Sequence, residues 1–249
     1  MNPLVSIIIP TIPSRNKSLQ ETIQSINKQT YTPIETIIVN EKLPANIQRN
    51  IGIKRSKGEY LYFLDDDDLY IKDKIQIQIQ YMEKHNVNVS TTYWIDERFN
   101  KIRLVKTPKY FSYNYVLHEG YRGTGALMFR RTVVDAIIER YGFFFDPEFE
   151  GADEYDLMLR VTKQYNCDTI PKIGYIARCV DKNFTVHKIK KVKSLMKLLQ
   201  TYGNEFPFKK SLMYIPLMIL YLLSPTFVIR FESFKGKCDF TVIKEVLKT

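Results

Sequence analysis

Residues 4 to 9, LVSIII, form an unbroken apolar run rich in β-branched side chains and closed by Pro10. Such a run, without polar alternation, suits a strand covered on both faces, as in a parallel sheet. Ser18 and Glu21 then have capping-box spacing, and Leu19, Ile23 and Ile26 recur at helical intervals, which predicts a helix. IETIIVN, 34 to 40, predicts a second strand. Pro44 opens a second helix running to about Ser56, with Gly58 placed as its C-terminal cap, and YLYFL, 60 to 64, predicts a third strand. Strand, helix, strand, helix and strand at this spacing predict a right-handed α/β layer with a mostly parallel sheet.

The segment KIQIQIQYM has strict strand alternation, yet Ile75, Ile79 and Met82 also fall on one helical face. A helix continues the alternation of elements and is the expectation here. VNVSTTYWI predicts another strand, with Trp94 as core rather than as an exposed ligand platform. TVVDAIIERYG predicts a helix capped by Gly142, and EYDLMLRVTKQY one more.

Composition narrows the class. At 249 residues, 45% of them hydrophobic, the chain can bury a sizeable core. Cys167, Cys179 and Cys238 are odd in number and lack metal-type spacing, so a reducing compartment without a disulfide framework is expected. The N-terminus has no basic region before its first strand, and no signal peptide is expected. Charge is uneven: residues 1 to 181 hold 24 Lys and Arg against 23 Asp and Glu, whereas residues 182 to 249 hold 13 against 4. In the basic part, Ile189, Val192, Leu195, Met196, Leu199 and Tyr202 share a helical face opposite lysines, and residues 211 to 229 carry no charge. Pro216 and Pro225 argue against one straight spanning helix. A basic amphipathic helix beside an apolar segment fits an interfacial anchor on an anionic membrane; a core helix or a dimer interface is the alternative. No nucleic-acid motif accompanies the basic charge, so no nucleic-acid partner is expected.

Ligands of open parallel sheets bind beyond the carboxyl ends of the strands. Thr11 stands there after the first strand, Asn40 and Glu41 after the second, and four aspartates, Asp65 to Asp68, after the third. Carboxylates in such number repel one another unless a cation or hydrogen-bond donor compensates, and they are hard ligands suited to Mg²⁺, Mn²⁺ or Ca²⁺. A solvated acidic turn is the bland alternative; the position at the end of a buried strand favours a metal. The alternating ligands and central glycine of an EF-hand loop are absent.

VSIIIPTIPSR, ETIIVNE, RNIGIKRSKGEYLYFLDDDDLY and ADEYDLMLR occur in an order and spacing that resembles the family 2 glycosyltransferases with the GT-A fold, over about residues 3 to 185. The resemblance implies a GT-A, Rossmann-like catalytic domain over residues 1–185 and transfer of a sugar, with inversion, from a nucleoside diphosphate donor in the presence of Mn²⁺ or Mg²⁺; the basic and apolar residues 186–249 are expected to form a helical, membrane-associated appendage. Carried over by residue, it implies Asp67 as metal ligand with Asp65 and Asp68 beside it. Asp65 or Asp66 would touch the ribose. Pro10, Thr11 and Arg15 match the loop around base and ribose, and Arg49 and Asn50 match the donor pocket. Two positions depart from the family. Its paired aspartates after the second strand are here Asn40 and Glu41, which leaves the choice of a UDP- or GDP-sugar open. Its Glu-Asp pair is here Asp153-Glu154, which puts Glu154 at the general base, with Asp153 as the alternative. Both also suit the mere start of a helix that Leu157 and Val161 bury. GYRGTGALMFRR, with Gly123 and Thr124, is placed at the acceptor between the two acidic sites, and its glycines would let backbone approach a sugar closely. His187, a late histidine before a lysine run, suits a surface residue better than a metal ligand. The expected acceptor is lipid-linked or a surface glycan, and the expected location is cytoplasmic, peripheral on the inner face of a membrane. Rival readings are a catalytically inactive membrane-bound binder of nucleotide or carbohydrate and, less well supported, a sugar-nucleotide pyrophosphorylase, whose Gly-rich loop PTIPSRNKS lacks.

Overall fold

The computed structural model describes residues 1–97, 102–178 and 187–206, with backbone alone at 187–193 and 195. The strands are β1 (Val5–Pro10), β2 (Ile34–Val39), β3 (Tyr60–Phe63), β4 (Leu69–Tyr70), β5 (Val89–Asp96), β6 (Arg103–Val105), β7 (Tyr110–Phe111), β8 (Met128–Arg130) and β9 (Cys167–Ala177). The helices are α1 (Asn16–Asn27), α2 (Ala45–Arg55), α3 (Lys74–His85), α4 (Tyr113–Glu119), α5 (Arg131–Tyr141), α6 (Asp153–Thr162) and α7 (His187–Tyr202).

The strands form one sheet in the order β2-β1-β3-β8-β5-β9-β4, with β6 on β5 and β7 on β9. The expected parallel layer is present as β2-β1-β3. β5 and β9 are also parallel, but β8 runs antiparallel between β3 and β5, so the sheet is mixed rather than mostly parallel. The reason is local. The Arg131 amide donates to the Glu59 carbonyl at 2.8 Å, so β8 finishes where β3 starts and α5 leaves at once. Because β8 reverses direction twice across the sheet, the carboxyl ends of β1, β2, β3, β5 and β9 share one edge.

Apolar residues alternate between two faces, as a sheet covered by helices on both sides requires. Ile8, Leu61 and Phe63 pack with α5, α6 and Leu198 of α7. Val5, Ile7, Ile9, Tyr62 and Leu64 pack with α1 and α3. The Ile/Gln segment is helical, and its buried face holds Ile75, Ile79 and Met82 as expected, together with Lys74 and Gln78. Trp94 is core. Gly142 closes α5 in the left-handed region.

Three expectations are corrected. The Ser18/Glu21 box does not form: α1 follows a 3₁₀ turn at Pro13–Arg15, the Ser18 hydroxyl donates to the Arg15 carbonyl, and Glu21 pairs with Arg178 instead. Gly58 is not the cap of α2, which ends at Arg55 with Ser56 extended. Its role is close approach, since a Cβ there would lie 2.5 Å from the Ser6 hydroxyl and 2.6 Å from the Ser6 nitrogen. The expected face of α7 holds at Tyr202, which is buried, and at Leu199, which packs partly buried on the same core, but not at Met196, which is exposed while Leu198 is buried. Tyr202 donates to Asp156 of α6 at 2.8 Å, so this end of α7 is packed on the same body as the sheet. The anticipated boundary at 185/186, Cys179, Cys238 and the segment 211–229 lie outside the described residues.

Gly58→Ala is expected to lower stability by about 1–3 kcal/mol, because the added methyl meets backbone that cannot step aside. Urea unfolding measures it, and an unchanged midpoint would show that β1 and β3 have room to separate.

Candidate active site

The edge where the strands end gathers the acidic loop 65–68 and the residues that hold it. Asp66 is buried; it accepts from the Thr11 hydroxyl at 2.6 Å and pairs with Arg15 at 2.7 Å. Asp67 lies farther from the same guanidinium, at 3.9 Å. Asp68 accepts the backbone amide of Arg178 at 2.8 Å, and its carbonyl accepts the Thr22 hydroxyl at 2.8 Å. Asp65 is half-exposed and pairs with Arg49 at 2.5 Å.

Arg49 carries the arrangement inward. Its other guanidinium nitrogen meets Asp153, the first residue of α6, at 2.7 Å, and the ring of Phe145 lies 5.3 Å from its central carbon. Burial opposes the arginine's charge, but Asp65, Asp153 and Glu154 outweigh it and hold the cation. Burial pushes the Asp153 carboxyl up, to about 6; Arg49 pulls it back and Glu154 pushes it further up. Glu154 faces the other way. Its carboxylate accepts the amide of Gly123 at 2.8 Å and faces that of Thr124 at 3.5 Å. Gly123 sits at φ +115°, a conformation that disfavours any residue with a Cβ, and it starts the 3₁₀ turn Thr124–Ala126. A contact chain therefore runs from Asp65 through Arg49 to Asp153, and from the adjacent Glu154 to the Gly123–Thr124 turn.

The residues anticipated after β1 and β2 have mixed placements. Pro10 ends β1 and is buried. Asn40 is exposed. Glu41 makes an exposed pair with Arg55 at 3.4 Å. Asn50 serves the scaffold: its amide and the backbone of Phe145 bond reciprocally, at 2.6 and 3.0 Å. The side chain of His187 is outside the description. Sequence reasoning passed over Gln48, whose buried carboxamide oxygen lies 3.4 Å from the amides of both Thr11 and Glu41, linking the loops after β1 and β2. It also passed over Asn46, which donates to the carbonyls of Asp146 and Pro147 before α6. Arg178 was missed as well, although GYIAR ends a long apolar strand at the same edge as the aspartates, and the strand-end rule applied to β9 finds it.

Among the described residues no three His, Cys, Asp or Glu side chains form a ready metal cluster. The donor set nevertheless suits a hard cation. Mg²⁺ and Mn²⁺ sites of this kind take one or two carboxylates and complete their shell with substrate phosphates and water. Asp65 to Asp68 supply the hard oxygen donors that such a site would draw on.

Residues 41–138 match the family model described as Glycosyl transferase family 2. Over that stretch the chain is similar to the family 2 glycosyltransferases. An uncharacterized glycosyltransferase of Rickettsia bellii is 34% identical over 120 residues, which cover 37% of this chain and 17% of that one. The chain thus spans under a fifth of that relative. A longer match is UDP-Glc:alpha-D-GlcNAc-diphosphoundecaprenol beta-1,3-glucosyltransferase WfgD of Escherichia coli, 24% identical over 76% of this chain and 83% of WfgD. Two solved glycosyltransferases share the GT-A fold. S. aureus TarS 1-349 in complex with UDP-GlcNAc superposes with a TM-score of 0.64 at 14% identity, covering 89% of this chain and 74% of that one. The mannosyltransferase PcManGT from Pyrobaculum calidifontis, in complex with GDP-Man and Mn²⁺, gives 0.57 at 15% identity, covering 89% and 71%.

The raised Asp153 carboxyl has a stability signature. Between about pH 4 and pH 6 the unfolded chain releases this proton while the folded chain keeps it, so the contribution is complete at low pH and is lost as pH rises through about 6. Asp153→Asn is expected to flatten the pH dependence of the urea midpoint over that window. A wild-type slope retained in the variant would show that the carboxyl titrates normally.

Proposed function

We propose that this chain transfers a sugar from a UDP- or GDP-sugar to a hydroxyl of a lipid-linked or surface-glycan acceptor, with inversion. The observation that carries the reading is the contact chain Asp65–Arg49–Asp153 with Glu154 on the Gly123–Thr124 turn. It sets one carboxylate group at the strand ends, where nucleotides bind, and a second on α6 beside a glycine turn.

Inversion requires a base opposite the leaving diphosphate, near the acceptor and away from the cation. Glu154 suits that place better than Asp153. It is partly exposed and contacts the turn assigned to the acceptor, whereas Asp153 is buried in its pair with Arg49. Glu154 would take the proton of the attacking hydroxyl as the new glycosidic bond forms and the bond to the diphosphate breaks. Asp67, supported by Asp65, would hold Mn²⁺ or Mg²⁺, which when bound neutralises the departing diphosphate. Thr11, Arg15 and Asp66 would border the ribose, and Asn40 and Glu41 the base.

The donor classes follow from the complexes of TarS and PcManGT, and a lipid-linked acceptor from the name of WfgD. No described helix is long and apolar enough to cross a membrane. Peripheral attachment to an anionic cytoplasmic surface is part of the proposal and rests on the lysines that the sequence places at 188–193, since Lys197 pairs with Glu148 and Leu198 and Tyr202 are buried in the chain's own core.

Screening UDP- and GDP-sugars for Mn²⁺-stimulated release of the nucleoside diphosphate tests the reaction. Glu154→Gln should keep donor binding and lose transfer by about a hundredfold to ten-thousandfold. Normal transfer by this variant with loss in Asp153→Asn would reassign the base, and normal transfer by both would refute the site.

A further inference from the structure

We propose that Arg178 and Asp68 form a clasp that positions Asp67, and that Asp68 acts through this clasp rather than as a metal ligand. The inference rests on the transferase reading above.

Arg178 follows the last residue of β9 and reaches three points around the acidic loop. Its amide donates to the Asp68 carboxylate at 2.8 Å. Its Nε donates to the carbonyl of Asp67. Its Nη1 pairs with Glu21 of α1 at 2.7 Å. The Asp68 carbonyl is held from α1 by Thr22 at 2.8 Å. Within the loop the Asp68 amide donates to the Asp65 carbonyl at 3.1 Å, closing a tight turn. Asp67 thus has its own carbonyl fixed by a guanidinium and the next residue fixed at both its side chain and its carbonyl. A carboxylate mounted on so constrained a backbone keeps one direction.

The same contacts separate the roles of neighbouring aspartates. The Asp68 side chain points to the amide at the end of β9 and is buried there, and the bond it makes is one that a neutral amide oxygen can also accept. A metal ligand needs the negative charge; a backbone clasp needs only an acceptor of the right length. Arg178 likewise acts through geometry, because its fork serves the Asp67 carbonyl and Glu21 at once, which a single lysine nitrogen does not.

The test measures UDP and GDP binding to the full chain by calorimetry, in MnCl₂ and in EDTA, with thermal melting alongside. Removing a partner that orients a metal ligand typically costs about tenfold to a hundredfold in affinity, so Arg178→Ala and Asp68→Ala should each lose that much of the Mn²⁺-dependent binding and leave binding in EDTA unchanged. Arg178→Lys should fail to restore it. Asp68→Asn should restore binding to within about threefold of wild type, whereas Asp67→Asn should not. Equal loss in Asp68→Asn and Asp68→Ala would make Asp68 a ligand and overturn the clasp. Equal losses with and without Mn²⁺, or none, would overturn it too. If Arg178→Ala fails to fold, the Asp68 pair of variants still decides. A wild-type chain that binds neither nucleotide in Mn²⁺ would overturn the transferase reading and this inference together; binding with normal behaviour of every variant would overturn the inference alone.

Discussion

One buried guanidinium joins the two halves of this site. Arg49, nearly inaccessible to solvent, meets Asp65 after β3 and Asp153 at the start of α6. Burying a charge of this kind is costly unless it is paired and fully hydrogen-bonded. Two carboxylates supply the pairing, Phe145 covers the planar face, and α2 holds the loop before α6 through Asn46 and Asn50. The position of α6, and with it Asp153 and Glu154, therefore follows from a residue on the opposite wall. Arg49, expected in the donor pocket, is in this structure a strut between the acidic loop and the second acidic pair.

The acidic loop obeys the same electrostatics. Four adjacent carboxylates are tolerable because compensation reaches them from several sides: Arg49 for Asp65, Thr11 and Arg15 for Asp66, Arg15 at longer range for Asp67, and the amide after β9 for Asp68. These partners come from α2, the β1 loop and β9, which are remote in sequence and meet only because the strands end at a common edge. The fold thus gives the aspartates different partners, which their identical chemistry conceals.

The strands and helices that periodicity could specify were legible. β1 read as a doubly covered strand because its run is almost wholly apolar, β2 and β3 read as strands at the spacing of an α/β layer, and α3 read as a helix despite its alternation because Ile75, Ile79 and Met82 share a face. The direction of β8 was not legible, since three residues carry no signal of orientation and the Arg131–Glu59 bond that sets it is long-range. Gly58 looked like a cap because it follows a helix; only the spatial approach of Ser6 reveals its purpose. At the site, the motif residues were legible through the family resemblance, but which carboxylate touches which partner was not. Gln48 and Arg178 remained hidden because a buried amide inside a helix and an arginine after a strand have many uses that sequence alone does not distinguish. On α7 the expected stripe held at Leu199 and Tyr202 but missed Leu198 and included the exposed Met196.

The central claim is that Asp65 and Asp153 act on each other through Arg49. A double-mutant cycle tests it most directly, with Asp65→Asn, Asp153→Asn and the double variant measured by urea unfolding at pH 7. Losing one carboxylate leaves Arg49 with the other, whereas losing both leaves a bare buried cation. The double variant should therefore be less stable than the sum of the single effects predicts, by about 1 kcal/mol or more, and the excess should vanish when the cycle is repeated on Arg49→Met. Effects that add to within about 0.5 kcal/mol would contradict the account.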